Sequence, residues 1–476
     1  MSDSHPHPDQ RGLRQGSVGL LDAVVMSCAF VAPATVVLFG NTAIAGFAGP
    51  AIPLVYLVSM AIILTIAYSI GELTHKMPSA GAFYTYATRA IGPRAGFLTG
   101  WLIFVGYAFL IPAQSAIFGG FVHDVLARHG LNVPWWILAL AITALVVVLS
   151  VFDVAVSLKW GLVGLGFEVL ILTVLAIIII AKGGADGFTL DPFIPSADWG
   201  GVNGVALGLV FGAWGFLGFE SSATLGEEVS NPRKTLPRAM MLAVVVLGVY
   251  YVFVSYAEVI GFGTTASGTN ELSSDASAFS TLAHRFAGGW LATLVDIAAV
   301  TSLFALHLAT LTATSRILFA MGREKLLPRQ LGSVSSKHGT PAAAIYTLAV
   351  FSGVMTLACG AVWGPTQTFV NLAFIATLAF IPVYGLMNVC CAIYYKKEHP
   401  REFNVWRHVM IPALGVVGLL WVLKGNIWPI PAAPFNYFLY GVVAYIAVGL
   451  VVAWRLGRAK PDVMARAGMI MGGSEG

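Results

Sequence analysis

Residues 202–226 read VNGVALGLVFGAWGFLGFESSATLG. The stretch is long enough to cross a bilayer, which takes about 20 mainly apolar residues, yet its middle is a poor helix. Gly212, Gly215 and Gly218 fall within seven residues, and glycine ranks near the bottom of helix formers. A second interruption lies in the first apolar stretch, 18–47, where Ala32-Pro33-Ala34-Thr35 sits near the middle. Pro33 removes a backbone donor and crowds the preceding turn, so the helix is expected to kink or open there. Backbone left unpaired at membrane depth is tolerated only where it lines a cavity or meets protein. Two such breaks therefore mark the place to look for a site.

Working outward, apolar windows of spanning length recur at 18–47, 48–71, 95–122, 133–152, 157–181 and 202–226. They continue at 239–262, 289–321, 342–362, 366–395, 408–423 and 433–454. The uncharged run from Pro341 to Tyr395 is too long for one span and needs a turn, which Gly360, Gly364 and Pro365 supply. The reading is an all-α polytopic membrane protein with twelve transmembrane helices. The breaks then occupy the first helix of each five-helix set, which points to a five-plus-five inverted repeat with discontinuous helices one and six. The chain divides into a tail (1–16), a first repeat (17–182), a second repeat (198–397), two further helices (405–456) and a second tail (457–476).

Composition agrees. Of 476 residues, 58% are hydrophobic and 10% are charged, against about 25% charged in a soluble domain. That excludes a soluble enzyme, a secreted disulfide scaffold and a disordered chain, and a net charge of +4 offers nothing to nucleic acid. Cys28, Cys359, Cys390 and Cys391 lie in apolar stretches without metal-type spacing and read as core residues. With both termini cytoplasmic, only Arg128, Lys182, Arg285 and Lys424 of the 26 basic residues fall outside, as the positive-inside rule requires of a cell inner-membrane protein. Two connections, 81–92 and 274–286, have the composition of interfacial amphipathic helices or of plain connectors; the second is expected to open with Ser274 as a cap.

Several motifs resemble the amino acid–polyamine–organocation superfamily. These are Gly218-Phe219-Glu220 with the run from Glu227 to Arg238 (EEVSNPRKTLPR), Gly71-Glu72-Leu73 leading to Pro78-Ser79-Ala80-Gly81-Ala82-Phe83-Tyr84, and Gly96-Phe97 with Gly100-Trp101. Ser315-Arg316-Ile317-Leu318-Phe319-Ala320 with Leu326-Leu327-Pro328 and Gly339-Thr340-Pro341 adds another. The resemblance implies a secondary transporter. Many relatives carry a small Gly-Ser/Ala-Gly triplet in helix one whose amides hold a substrate carboxylate. Here Ala32-Pro33-Ala34 lacks one amide, which keeps amines and polyamines in play beside amino acids.

An ionisable group within a span costs about 2.5–3.5 kcal/mol or more, so each needs a reason. Glu168 lies in the fifth span, where the resemblance implies a lysine in many relatives; a carboxyl there could carry a coupling proton, bind a cation or pair with an amine. Glu220 closes the helix-six break, and His307 sits in mid-helix eight. These three are the proton-coupling candidates. Substrate contact is expected from Ala32, Pro33, Ala34 and Thr35, from Phe211, Gly212, Trp214 and Gly215, and from Tyr107, with Trp214 able to stack on an ammonium. Phe216 and Phe219 are candidate thin gates. Asp22 and Arg316, with Glu72, fall toward the cytoplasmic side, where they either latch an inner gate or face interfacial water. Glu258 and Asp296 fall toward the outer helix ends and are expected to be solvated or capping.

Together these features predict proton-driven uptake of an amino acid or organic amine by alternating access, needing no cofactor or metal. The alternative is an exchanger, with a channel or membrane-embedded enzyme behind it. No HExxH, GxSxG or GxxxxGK[ST] motif supports hydrolysis or ATP-driven work.

Overall fold

The computed structural model describes residues 19–78, 82–152, 158–225, 229, 231–323, 327–335 and 339–459. Residues 1–18 and 460–476, which make up all of the first tail and nearly all of the second, and the positions 79–81, 226–228, 230 and 326 within the motifs above, lie outside the described residues. The architecture is all-helical. In chain order the α-helices are α1 (Leu20–Val31), α2 (Pro33–Thr35), α3 (Asn41–Ala48), α4 (Ile52–Lys76), α5 (Ala82–Ala90), α6 (Pro93–Arg128), α7 (Trp135–Val151) and α8 (Leu158–Ala181). They continue as α9 (Gly201–Trp214), α10 (Pro232–Phe262), α11 (Ala266–Ser274), α12 (Ala278–Phe286), α13 (Gly289–Arg323), α14 (Ala342–Glu398), α15 (Ile411–Ile427) and α16 (Phe435–Ala459). Counting α1 to α3 as one element, and α9 with the turn after it as another, ten of the described helices are long and apolar enough to cross a membrane, and α7 is a shorter apolar helix.

At 57 residues, α14 would run about 85 Å if straight, against a hydrocarbon core of about 30 Å. It is broken at Gly364, whose φ of 74° suits a residue without a side chain, followed at once by Pro365. The turn expected from the glycine and proline pattern is therefore present.

The most intimate helix pairs are α6 along α14 and α4 along α10, with α9 between α4 and α14 and α1 packed against α10. Polar side chains tie the pairs across their apolar faces. Ser69 on α4 donates to Asn388 Oδ1 on α14 at 2.6 Å, while Asn388 Nδ2 donates to the Tyr384 carbonyl at 3.2 Å. At the same end of α4, Glu72 takes Arg407 at 2.8 Å and the Tyr395 hydroxyl at 2.9 Å. Lys76 meets Glu402 at 2.7 Å and, by its hydrogen bond, holds that exposed carboxyl below the usual carboxylate range. Glu72 is thus tied to the segment before α15 rather than to Asp22 or Arg316. Asp296 accepts from Arg128 at 2.9 Å and from Ser280.

Both amphipathic connections are helical, as α5 and α12. Ser274, however, ends α11 instead of opening α12. Its hydroxyl donates back to the Asn270 carbonyl at 2.8 Å, while Asp275 accepts from the Ser277 amide at 2.7 Å and the Thr281 hydroxyl at 2.6 Å at the entry to α12. The four cysteines are free, three of them buried.

Replacing Asn388 by Leu removes the one tie across that crossing, from Ser69, together with the bond back to the Tyr384 carbonyl within α14. An interhelical hydrogen bond of this kind contributes about 0.6–1.7 kcal/mol in a membrane bundle, so Asn388→Leu is expected to lower the thermal unfolding midpoint of the purified protein. An unchanged midpoint would show that this crossing does not depend on the bond.

Candidate functional site

The first break is sharper than a proline kink. Ala32 takes φ 53° and ψ 71°, a left-handed conformation that costs a residue bearing a side chain, and α2 starts at Pro33, which needs no amide partner at a helix start. The chain then runs through a π-helical turn, Val36–Gly40, before α3. Thr35 anchors the new start: its amide donates to Ser302 Oγ of α13 at 3.2 Å and its hydroxyl donates to the same oxygen at 2.8 Å. The Ser302 side chain in turn neighbours the carboxyl of Glu168 of α8, which is 4% exposed. A polar chain Thr35–Ser302–Glu168 thus joins three separate helices at the break.

The second break follows α9. The helix ends at Trp214, and a 3₁₀ segment, Phe219–Leu225, begins after four turn residues. Gly218 has φ 105°, and the Phe30 ring of α1 fills the space a side chain would need; only glycine meets both demands. Glu220 folds back so that its carboxylate accepts from the Gly218 amide at 3.2 Å and from the Tyr384 hydroxyl at 3.5 Å, with Tyr107 nearby. The freed Gly215 carbonyl accepts from the Tyr251 hydroxyl at 2.8 Å. No described Lys or Arg forms an ion pair with Glu168 or Glu220.

The residues singled out from the sequence sort by place. Ala32, Pro33, Ala34 and Thr35 form the first break, and Gly215 the second. Tyr107 stands between Phe30, at 6.5 Å between ring centroids, and Phe380, at 4.9 Å. Trp214 is 4% exposed and sits edge-on to Phe369 at 5.3 Å, beside Gly40. With Phe39 and Phe121 it forms an aromatic plug on the side of the breaks holding α3 and α9. Phe216 packs on Tyr251 and Phe219 on Tyr384. Phe211 instead stacks on Phe47, and Gly212 faces Ser59 and Val55 of α4.

His307 is buried apart from both breaks. Its Nε2 lies 3.5 Å from Ser115 Oγ, which also meets Thr143 at 2.8 Å and Ser352 at 3.4 Å. Five residues beyond Ser302 on one helix, it projects toward α6, α7 and α14. Asp22 accepts from the Gly19 amide at 2.9 Å at the start of α1, while Arg316 is exposed on α13. No ion pair joins Asp22 to Arg316 among the described residues. Glu258, expected at a solvated helix end, is instead fully buried and accepts from Asn41 Nδ2 at 2.5 Å, because α3 and α4 cover that face of α10.

Sequence reasoning passed over Ser302, Tyr384, Phe30 and the Asn41–Glu258 pair. A serine or tyrosine on an apolar span is commonplace, and nothing local marks which helix it will face.

Comparison with known proteins bears on what this arrangement serves. The family model for "Amino acid permease" matches residues 22–463. The branched-chain amino acid permease BcaP of Bacillus subtilis is 28% identical over 459 residues, covering 90% of this chain and 92% of that protein. The low-affinity putrescine importer PlaP of Escherichia coli is 25% identical over 431 residues, covering 88% and 90%. Among solved structures, a manganese transporter of Eremococcus coleocola superposes with a TM-score of 0.60 over 93% of this chain and all of that one, at 13% identity, a likeness of fold alone. On the match along nearly its whole length, the chain belongs to the amino acid permease family of the amino acid–polyamine–organocation superfamily and is an integral membrane protein.

Proposed function

We propose that this protein is a secondary transporter that imports an amino acid or organic amine by alternating access, with Glu168 carrying the coupling proton. The observation that carries the reading is the Thr35–Ser302–Glu168 chain. It places a buried carboxyl beside the hydroxyl that holds the start of a half-helix, so a proton on Glu168 and a ligand at the break would compete for, or share, that hydroxyl. Glu168 and Glu220 stand at the two breaks without a cationic partner, and a ligand that brings its own ammonium meets that unbalanced chemistry. The relatives bracket the same substrate class, one named for branched-chain amino acids and one for putrescine.

In this reading the two halves of α14, together with α7, raise the ten long helices to twelve crossings. The first ten crossings form two inverted five-helix repeats, with both termini cytoplasmic in the cell inner membrane. Tyr107, Trp214, Gly215 and the 32–35 backbone line the substrate position. Phe216 and Phe219 close around it, Glu220 supplies polar lining, and Asp22 and Arg316 approach only in another conformation of the cycle. It acts as a carrier rather than an enzyme, in keeping with its permease family.

Two measurements test this. Glu168→Gln keeps the shape but cannot exchange a proton, so accumulation driven by a pH gradient in proteoliposomes is expected to be abolished or severely reduced while the protein still inserts. Undiminished accumulation would remove Glu168 from coupling, and counterflow without a gradient separates import from obligatory exchange. Trp214→Ala is expected to weaken substrate binding several-fold, matching a stacking contribution of roughly 1–2 kcal/mol; unaltered affinity would take Trp214 out of the site.

A further inference from the structure

A second buried carboxyl lies on the α3 and α9 side of the breaks, away from Glu168. Glu258 of α10 is 0% exposed. Its Oε2 accepts from Asn41 Nδ2 at 2.5 Å, and Asn41 Oδ1 accepts from the Tyr56 hydroxyl of α4 at 2.8 Å. Its Oε1 is buried with no hydrogen-bond partner among the described residues. The Tyr56 ring lies 4.9 Å from Tyr251, whose hydroxyl reaches the freed Gly215 carbonyl. One cluster thus runs from the half-helix after the first break, through α4 and α10, to the end of the half-helix before the second.

The charged and titratable groups on the surrounding elements leave this carboxyl without a counter-charge. Arg285 of α12 is engaged by Glu271 of α11 and lies over the Phe262 ring. Lys182, after α8, donates to the Phe286 carbonyl at 2.7 Å. Asp275, between α11 and α12, is itself acidic and adds repulsion, and α4 contributes the neutral phenol of Tyr56. A carboxylate with a single donor and no cation nearby is costly to bury. A metal cation does not fit either, because Asn41 turns its N–H, not its carbonyl, toward Glu258.

We propose that Glu258 is a proton-binding site separate from Glu168, and that the proton it holds keeps the half-helices α3 and α9 joined to α4 and α10 as one unit. The proton comes from solvent and adds to the carboxylate, with no other bond made or broken. Loss of that proton leaves a buried charge and loosens the cluster. The role in a transport cycle rests on the function proposed above; the existence of the proton site does not.

Infrared spectra of the purified protein in lipid, collected across a pH series, test the site without any substrate. Wild type is expected to show a protonated-carboxyl C=O band that Glu258→Gln lacks, and Asn41→Leu, which removes the donor to Oε2, is expected to shift that band. Folding that retains a proton becomes less favourable as pH rises, so the wild-type unfolding midpoint is expected to fall relative to that of Glu258→Gln from mildly acid to mildly alkaline pH. Carboxyl bands identical in wild type and Glu258→Gln, with midpoints that stay parallel, would overturn the proposal. If Glu258→Gln does not fold, the Asn41→Leu spectrum decides: a shifted band supports the site and an unshifted one overturns it. Failure of pH-driven accumulation with the band present would count against the transport reading alone.

Discussion

Every backbone donor and acceptor at membrane depth must find a partner within the protein, and two helices in this chain stop halfway across. That requirement organises the rest of the molecule. At the first break, Pro33 brings no amide to satisfy, the left-handed Ala32 turns its own amide to the Ala29 carbonyl, and Ser302 takes the Thr35 amide. At the second, Glu220 takes the Gly218 amide and Tyr251 covers the Gly215 carbonyl. None of these partners lies within the half-helix it completes; Glu220 belongs to the turn beyond, and Ser302 and Tyr251 come from α13 and α10. The breaks exist only because a bundle surrounds them.

The same requirement explains where the rare polar side chains sit. Thr35, Ser302, Glu168, Asn41, Glu258 and Glu220 are all buried, in a chain of which only 10% is charged. Each touches a break or an element next to one. His307 belongs to a different cluster, with Ser115, Thr143 and Ser352, and ties α13 to α6, α7 and α14. A buried polar residue in this protein is therefore a joint between helices first, and its chemistry follows from which helices it joins. Aromatic rings fill what remains around the breaks. Trp214, Phe39, Phe121 and Phe369 close one side, and Phe30, Tyr107 and Phe380 stand on the other.

Much of this could be read along the chain because it depends on local pattern. The apolar windows, the turn at Gly364 and Pro365, and the breaks at Pro33 and at Gly212 to Gly218 are statements about short stretches in lipid, where helix propensity and hydropathy act without competition from water. Ser274 does not open α12 because it ends α11, where its hydroxyl donates back to the Asn270 carbonyl. Glu258 was misplaced because distance along a helix says how deep a residue lies, not which neighbour covers it.

The amino-acid sequence by itself determined an all-helical membrane protein, the positions of the two interruptions, the short supply of buried acids and the family to which the chain belongs. Tertiary structure alone decided that Ser302 would bridge Thr35 to Glu168, that Tyr384 and Tyr107 would close on Glu220, and that Phe211 and Gly212 would face α4. It also placed His307 away from the breaks and set Glu258 against Asn41. The physical reason is rotational. A hydrophobic span tolerates any azimuth about its own axis, because lipid and apolar protein surface solvate it almost equally well. Only packing against particular neighbours chooses one, and that choice decides which of the few polar groups meet.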